Sequence, residues 1–340
     1  MFSIKYADRL DNFRRVTSNI WYKDLATDRE IYNVDPSYNR NSNITAVVDN
    51  IHVDVSSNGL YDTSYTLDNL NRLTNAQWGD WNGTTLSNEQ REKIWTLTQT
   101  GNWDMVQLDL DNDDVYDSGT GEYKDDRIHN VVNELTTRDI YDDASVVYNL
   151  AYDDLGELTD DGENYEYKYD AFGRLIEVAN TTTQALVTEY RYNGLGHRIA
   201  WHYDVDADGT VEDTSDDPEY FFAYNESWQQ VATYRAADTS PKEQFVYHNA
   251  GLGGYGGSSA IDGVILRDKD TNTAWDTESD GTLEDRIYYC QNWRGDISVI
   301  VDDTGNMVEW VKYTAYGIPY GAIIRPNRKS FVFNGVQVVH

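Results

Sequence analysis

The chain contains a single cysteine, Cys290, and only five prolines among its 340 residues. With one thiol the chain cannot form an internal disulfide, so a small fold held together by disulfides is excluded. The cysteine count leaves both the cytosol and the extracellular space open as compartments. The scarcity of proline leaves nearly every residue able to donate its backbone N–H within a β-sheet.

Positive charge is also scarce, with 27 Lys and Arg against 59 Asp and Glu and a net charge of −32. Nucleic acids and anionic membranes bind basic surfaces, so we expect this chain to bind neither. No apolar run approaches the length of a membrane-spanning helix. The first residues lack the apolar core of a signal peptide.

Aromatic residues, in contrast, are abundant: they make up 13% of the chain, with 27 Tyr and 10 Trp. Such a content is incompatible with a disordered acidic tail, which lacks the apolar surface that drives folding. Tyr and Trp are enriched in β-strands, where their rings pack against neighbouring strands. The composition therefore favours a folded β protein.

A short unit recurs between residues 148 and 200. It reads YDDLGEL at 152–158, YKYDAFGRL at 167–175 and YRYNGLGHRI at 190–199. Alternating tyrosines place two rings on one face of a strand, and Asp or Asn then opens a turn by capping backbone N–H groups. Gly three positions later adopts the positive φ that closes the turn. Repeated hairpin corners of this kind predict an all-β fold built as a long antiparallel sheet.

Less regular copies lie at 10–16, 35–40, 65–73 and 127–136. Asn71 and Asn133 stand at the glycine position of the last two, and Asn is the next-best residue at positive φ. Tyr38 stands there in the second copy. The pattern Ser-Asn-Glu-Gln at 87–90 resembles a capping box and predicts a short helix over 87–95.

These units resemble the motif Tyr-x-Tyr-Asp-x-x-Gly-Arg-Leu of the YD-repeat or RHS-repeat family, most clearly from 127 to 321. Asp-Thr-Gly-Asn-Met-Val at 303–308 and Tyr-Thr-Ala-Tyr-Gly at 313–317 resemble two hairpins of the RHS-associated core that follows the repeats.

The resemblance implies two regions. We expect YD-type repeats over 1–200, degenerate over 1–147 and clear over 148–200, and hairpins similar to the RHS-associated core over 201–340.

The family resemblance also implies that the sheet curls into part of a shell or barrel, as in the teneurin-like YD-shell. Family shells enclose a toxin domain or contact a protein or glycan on a cell surface. We therefore expect a non-enzymatic shell segment of a large bacterial protein that is secreted or displayed at the cell surface. The family core continues into an Arg-Tyr-Tyr-Asp-Pro segment, so we also expect this chain to be a C-terminally truncated member.

Two acidic loops, at 204–212 and 276–284, match the first nine positions of an EF-hand calcium loop. Oxygens at positions 1, 3 and 5 surround the ion, and Gly at position 6 makes the sharp turn. Neither loop has Glu at position 12, and a poorer version at 109–113 has Asp114 in place of Gly. The alternative is a solvated acidic hairpin tip. The predicted calcium ligands are Asp204, Asp206, Asp208 and Glu212 in the first loop and Asp276, Glu278, Asp280 and Glu284 in the second.

Two other functional classes remain open. Val-Tyr-Asp-Ser-Gly-Thr at 115–120 and Asp-Thr-Gly at 303–305 match aspartic-protease signatures, with Asp117 and Asp303 as the pair that would share a proton. Asp302 precedes Asp303 where an apolar residue is expected, which favours a turn over a catalytic site. A glycan-binding module is the other alternative, because exposed Trp and Tyr rings can stack on sugars. Packing within the sheet is the more common role of such rings.

Overall fold

The computed structural model describes residues 4–23, 29–51, 61–116, 121–141, 144–204, 211, 217–248, 263–323, 330–333 and 336–339. Side chains are described from residue 9 to residue 319 within these ranges. All regular elements are β-strands paired antiparallel with their neighbours in sequence, which confirms the predicted all-β fold. No helix in the described part of the chain is long and apolar enough to cross a membrane.

Eleven strands form the first sheet, in sequence order. They are β1 (Ile4–Leu10), β2 (Val16–Lys23), β3 (Arg29–Tyr38), β4 (Ile44–Asp49), β5 (Asp62–Leu67), β6 (Leu73–Trp81), β7 (Leu86–Leu97), β8 (Trp103–Asp109), β9 (Tyr123–His129), β10 (Leu135–Asp139) and β11 (Val147–Asn149).

Fourteen strands form the second sheet, also in sequence order, and two more form a separate hairpin. The first fourteen are β12 (Ala151–Tyr152), β13 (Leu158–Asp160), β14 (Tyr165–Tyr169), β15 (Leu175–Asn180), β16 (Leu186–Tyr192), β17 (Arg198–Tyr203), β18 (Tyr220–Tyr224), β19 (Gln230–Arg235), β20 (Glu243–Tyr247), β21 (Val264–Lys269), β22 (Asp285–Gln291), β23 (Ile297–Asp302), β24 (Met307–Tyr313) and β25 (Pro319–Ile323). The hairpin consists of β26 (Ser330–Phe333) and β27 (Val336–Val339).

A five-residue corner joins the strands of most hairpins. In the corner that begins at Asp170, the N–H of Gly173 donates to the Asp170 carbonyl oxygen at 3.0 Å, and Gly173 has φ 72°. The Asp170 carboxylate also accepts the backbone N–H groups of Phe172 and Arg174. The same hydrogen-bonded corner begins at Asp11, Asn39, Asp68, Thr98, Asn130, Asp153, Asp170, Asn193, Asn225, Asn292, Asp302 and Thr314. The turn chemistry predicted for the repeat is therefore present along both sheets.

The arginine of the repeat motif links one corner to the next. Arg174 donates through Nε to the Asp170 carboxylate at 2.7 Å and through Nη1 to the carbonyl oxygen of Asn193 at 3.0 Å. Asn193 is the first residue of the following corner. Equivalent bonds join Arg15 to Asn39 and Arg72 to Thr98, both at 2.9 Å. A planar, forked donor can make these two contacts at once, which a lysine cannot.

The predicted helix over 87–95 was wrong. These residues lie in β7, whose backbone pairs with β6 on one side and β8 on the other. Pairing on both sides satisfies the backbone of the whole segment, whereas an isolated helix of this length is marginal in water. Asn88 has φ 48°, beside a register shift in the β6–β7 pairing.

The repeat match at 35–40 was also placed wrongly. Residues 35–38 belong to strand β3, and the corner itself begins at Asn39 and has Ser42 at positive φ (65°). The backbone requirement is met without glycine, so this corner could not be located from a glycine at the expected spacing.

The chain divides into two compact units, residues 1–147 with 290–340 (unit 1) and residues 148–289 (unit 2). The core of unit 1 contains the buried residues Ala76, Trp78, Trp95 and Val106. In unit 2, the fully buried ring of Tyr220 stacks on Trp275 with centroids 5.1 Å apart. The division at residue 200 was based on the clarity of the repeats and not on contacts, and it stays a prediction.

Two glycines in neighbouring corners allow a matched test of the corner geometry. Gly173→Ala should destabilise the protein by about 1 kcal/mol, since φ is 72° and left-handed backbone disfavours a Cβ. Gly194→Ala should be neutral or slightly stabilising, because an added Cβ there meets no atom within 4 Å. Denaturant unfolding of both variants measures the difference, and equal effects would contradict the proposed role of positive φ.

The corner carboxylates predict a dependence of stability on pH. The backbone N–H of Arg72 lowers the pKa of Asp68, and the guanidinium of Arg174 lowers the pKa of Asp170. Because the folded-state pKa lies below the unfolded value, the stabilisation is complete above about pH 4 and is lost as pH falls through the lowered pKa. Asp170→Asn should therefore be less stable than the parent at pH 7, and the difference should shrink towards pH 2. A difference that is constant with pH would contradict this assignment.

Candidate functional site

The first predicted calcium loop falls largely outside the described residues. Asp204 is described, whereas the positions of Asp206, Asp208 and Glu212 are not. Calcium binding by this loop stays a prediction.

In the second loop, protein donors occupy the carboxylates that are described. Asp280 accepts the side-chain amide of Asn272 and the backbone N–H of Thr282, both at 2.8 Å. The Thr282 hydroxyl lowers the pKa of Asp280 and of Glu284. Asp276, Glu278, Asp280 and Glu284 do not place three carboxylate oxygens within 4.8 Å of one another. This geometry resembles a self-contained acidic turn, and calcium here also stays a prediction.

One group of carboxylates does converge in the part of the chain that the structure describes. Oxygens of Asp109, Asp111 and Glu122 lie within 4.8 Å of one another, with Asp109 and Glu122 buried and Asp111 exposed. Partial loss of hydration and the neighbouring carboxylates, Asp113 first, raise the pKa of Asp111. The group could hold a cation, because oxygen ligands from several carboxylates suit Ca²⁺. It includes the sequence match at 109–113.

Glu122 was missed in the sequence because it lies outside that match. It follows the loop and lies against Leu110, whose backbone N–H it accepts at 2.9 Å. The carboxylate of Asp109 likewise accepts the N–H groups of Asp111, Asn112 and Asp114. A local motif could not reveal this convergence, which depends on the path of the loop.

The two aspartates of the protease alternative are not described as a pair. Asp117 lies outside the described residues, and Asp303 is exposed in the turn between β23 and β24. Asp302 opens that corner, since its carboxylate accepts the N–H groups of Thr304 and Asn306 at 3.0 and 2.8 Å. The Asp-Thr-Gly sequence at 303–305 is thus part of a structural corner.

A cavity of about 360 Å³ lies within unit 1, between strands of the first sheet and the corners that begin at Asn292 and Thr314. Its polar groups largely bind one another. The Asn292 side chain accepts the N–H groups of Arg294 and Asp296, and the Lys312 ammonium lies 2.7 Å from the Asp49 carboxylate. Aromatic faces therefore make up much of the surface left for a ligand. The rings that line it belong to Tyr32, Tyr61, Tyr65, Trp293 and Tyr313.

Comparisons with solved structures find similarity to chains of Tc toxin complexes. A chain of the Photorhabdus luminescens Tc holotoxin pore with a TccC3 mutation matches 98% of this chain with a TM-score of 0.64 and 14% identity. TcdB2-TccC3 without its hypervariable C-terminal region matches 98% with a TM-score of 0.62 and 13% identity. A further TcdB2-TccC3 crystal structure matches 94% with a TM-score of 0.61 and 13% identity. At this level of identity the similarity establishes the fold alone.

The matched regions are a small part of those proteins. This chain spans about 15% of the length of the holotoxin chain, 16% of the second and 15% of the third. No protein-family model matches the sequence, and no curated protein matches it. What the repeats do in this protein is therefore inferred from its own residues and from the shared fold.

Proposed function

We propose that these residues form a non-enzymatic wall segment of a shell in a large bacterial protein of the YD/RHS-repeat type. The observation that supports this role is the hydrogen-bonded corner that recurs along both sheets, in a fold shared with chains of Tc toxin complexes. Interior strands of such a sheet pair on both sides, so a wall can grow by adding hairpins without leaving free edges between them.

The proposed partner is a toxin domain enclosed by the shell, with a cell-surface protein or glycan as the other possibility. The proposed location is outside the cell or at its surface. The net charge of −32 would help keep the edge strands from pairing with other chains.

Protease protection of the complete gene product that contains these residues tests the proposal. If the repeats build a shell, trypsin should leave an enclosed segment intact, and the segment should become sensitive once guanidinium chloride unfolds the sheets. Rapid digestion of every other part of the protein under native conditions would contradict enclosure. The same preparation should leave casein uncleaved in mildly acidic buffer, and pepstatin-sensitive cleavage would instead support the aspartic protease.

A glycan-binding module is the second candidate, and the aromatic cavity of unit 1 is the observation that favours it. Tyr61 and Trp293 offer ring faces, against which the apolar face of a sugar can stack. A glycan array probed with the full chain tests this role. Saturable binding that Trp293→Ala abolishes would support it, and binding unaffected by that change would not.

Calcium is proposed as a stabilising ion. Because an ion that binds only the folded chain stabilises it by mass action, calcium at 100 times its dissociation constant should add about 2.7 kcal/mol to the free energy of unfolding. The melting temperature should rise in millimolar calcium and fall in EDTA. Loss of the shift in Asp109→Asn would place the ion at the converging carboxylates, and loss in Asp276→Asn would place it in the second predicted loop. No shift in the parent would remove the proposal.

A further inference from the structure

Large apolar side chains project into solvent from the tips of successive corners in unit 2. Leu155, Phe172 and Leu195 each occupy the third position of a corner and are 79%, 83% and 69% exposed. Soluble proteins seldom repeat an exposed apolar residue at one structural position, and contiguous apolar surface of this kind usually marks a binding site. We refer to these three residues as the corner row.

The corners that carry the corner row are neighbours at one end of the sheet. They join β12 to β13, β14 to β15 and β16 to β17, which are consecutive strands. The guanidinium of Arg174 bonds to Asn193 in the next corner, and a Cβ on Gly173 would lie 2.7 Å from Glu157 Oε1 in the preceding one. Since neighbouring strands lie about 4.8 Å apart, corners on alternate strands should be about 9.6 Å apart and the row about 19 Å long.

The corner row lies beside negative charge. Asp153 and Asp170 open two of its corners, and partial loss of hydration together with repulsion from Asp153 raises the pKa of Glu157 between them. A second copy of a chain with net charge −32 would be repelled from this surface. The surface therefore favours a partner that combines apolar side chains with positive charge.

We propose that the corner row binds an amphipathic helix of a partner protein, with apolar residues seven positions apart and basic residues beside them. Seven residues of an α-helix span about 10.5 Å, close to the spacing of about 9.6 Å between corners. One helix can thus place an apolar side chain against each of the three tips. Lys and Arg on its flanks can pair with Glu157 and Asp170. This inference does not depend on the shell function proposed above.

Unit 1 provides a built-in comparison, because its corners alternate at the same position. Phe13, Leu70 and Val132 are exposed there by 79%, 69% and 65%. Asn41 and Thr100 occupy the third position of the corners between them. Each apolar tip in unit 1 is therefore isolated, and a helix with seven-residue spacing would meet a polar side chain at the next corner.

A labelled synthetic helix tests the proposal with the full 340-residue chain. The probe is a peptide of about 21 residues, six helical turns, with Leu at every seventh position and Lys beside each Leu. A peptide of the same composition in scrambled order is its control. Fluorescence anisotropy should show saturable binding of the patterned peptide, and binding should weaken as salt is raised. Failure to bind, or equal binding of the scrambled peptide, would overturn the proposal.

Two triple variants locate the binding surface. Leu155→Ser with Phe172→Ser and Leu195→Ser should weaken peptide binding at least tenfold. The matched set Phe13→Ser, Leu70→Ser and Val132→Ser should change it less than twofold. Equal loss in both sets, or no loss in the first, would overturn the assignment to the corner row.

Two further measurements keep this test decisive. Phe172→Ser alone should weaken peptide binding measurably, and it serves in place of the triple variant if that variant does not fold. Sedimentation should show a monomer. A dimer that dissociates in the corner-row variant, without peptide binding by the parent, would identify a second copy as the occupant and would overturn the helix.

Discussion

Replacing Lys242 by methionine is expected to destabilise the protein by about 3–5 kcal/mol, the range for breaking a buried ion pair. The Lys242 ammonium and the Asp270 carboxylate are fully buried and lie 3.0 Å apart. Burial alone would raise the pKa of Asp270, but hydrogen bonds from Thr273 and the charge of Lys242 lower it to about 2. The methionine would leave that carboxylate buried without a counter-charge.

The double variant Lys242→Met with Asp270→Asn separates the charge from the packing. Asparagine can still accept the Thr273 N–H that Asp270 accepts at 3.0 Å, and no buried charge remains. We expect the double variant to recover more than half of the lost stability, since removing both charges is often close to neutral. Guanidinium chloride unfolding measures all three proteins. A double variant as unstable as the single one would show that the loss comes from packing rather than from an unpaired charge.

The second large effect is expected in the core of unit 1, where Trp78→Ala should cost about 3–5 kcal/mol. Trp78 is only 2% exposed and belongs to the cluster with Ala76, Trp95 and Val106. The guanidinium of Arg91 lies 4.6 Å from its ring centroid, so the substitution also removes a cation–π contact from a buried cation. Both the cavity and the lost contact act in the same direction.

An exposed residue of the same unit provides the control for this measurement. Leu70→Ala changes a side chain that is 69% exposed at a corner tip, and it should alter stability by no more than about 0.5 kcal/mol. Similar losses for Trp78→Ala and Leu70→Ala in chemical unfolding would contradict the assignment of the core.

The corners could be predicted from the sequence because each one is a local structure. Asp or Asn at its first residue and Gly at its fourth are needed by hydrogen bonds and φ angles within five residues. The expectation that Asn71 and Asn133 replace glycine is confirmed, with φ 62° and 69°. Ser42 carries no comparable signal, and the neighbouring strands impose its positive φ. The capping-box pattern over 87–90 failed because pairing with distant strands overrides a local helix signal.

The site residues were less predictable because they are brought together by strand register. Lys242 and Asp270 are 28 residues apart and meet next to the β20–β21 pairing, across a loop whose length the repeat does not set. Glu122 reaches Asp109 for a similar reason. The exposed tips at Leu155 and Phe172 were present in the quoted repeats, but only the structure shows that their corners are adjacent and their side chains uncovered.

Cryo-electron microscopy of the complete gene product that contains these residues tests the central claim most directly. The account predicts that the hairpins continue into neighbouring segments as one antiparallel wall, with the linked corners at one end and an enclosed segment behind it. The contradicting result would be a free-standing domain whose first and last strands end at open edges and enclose nothing.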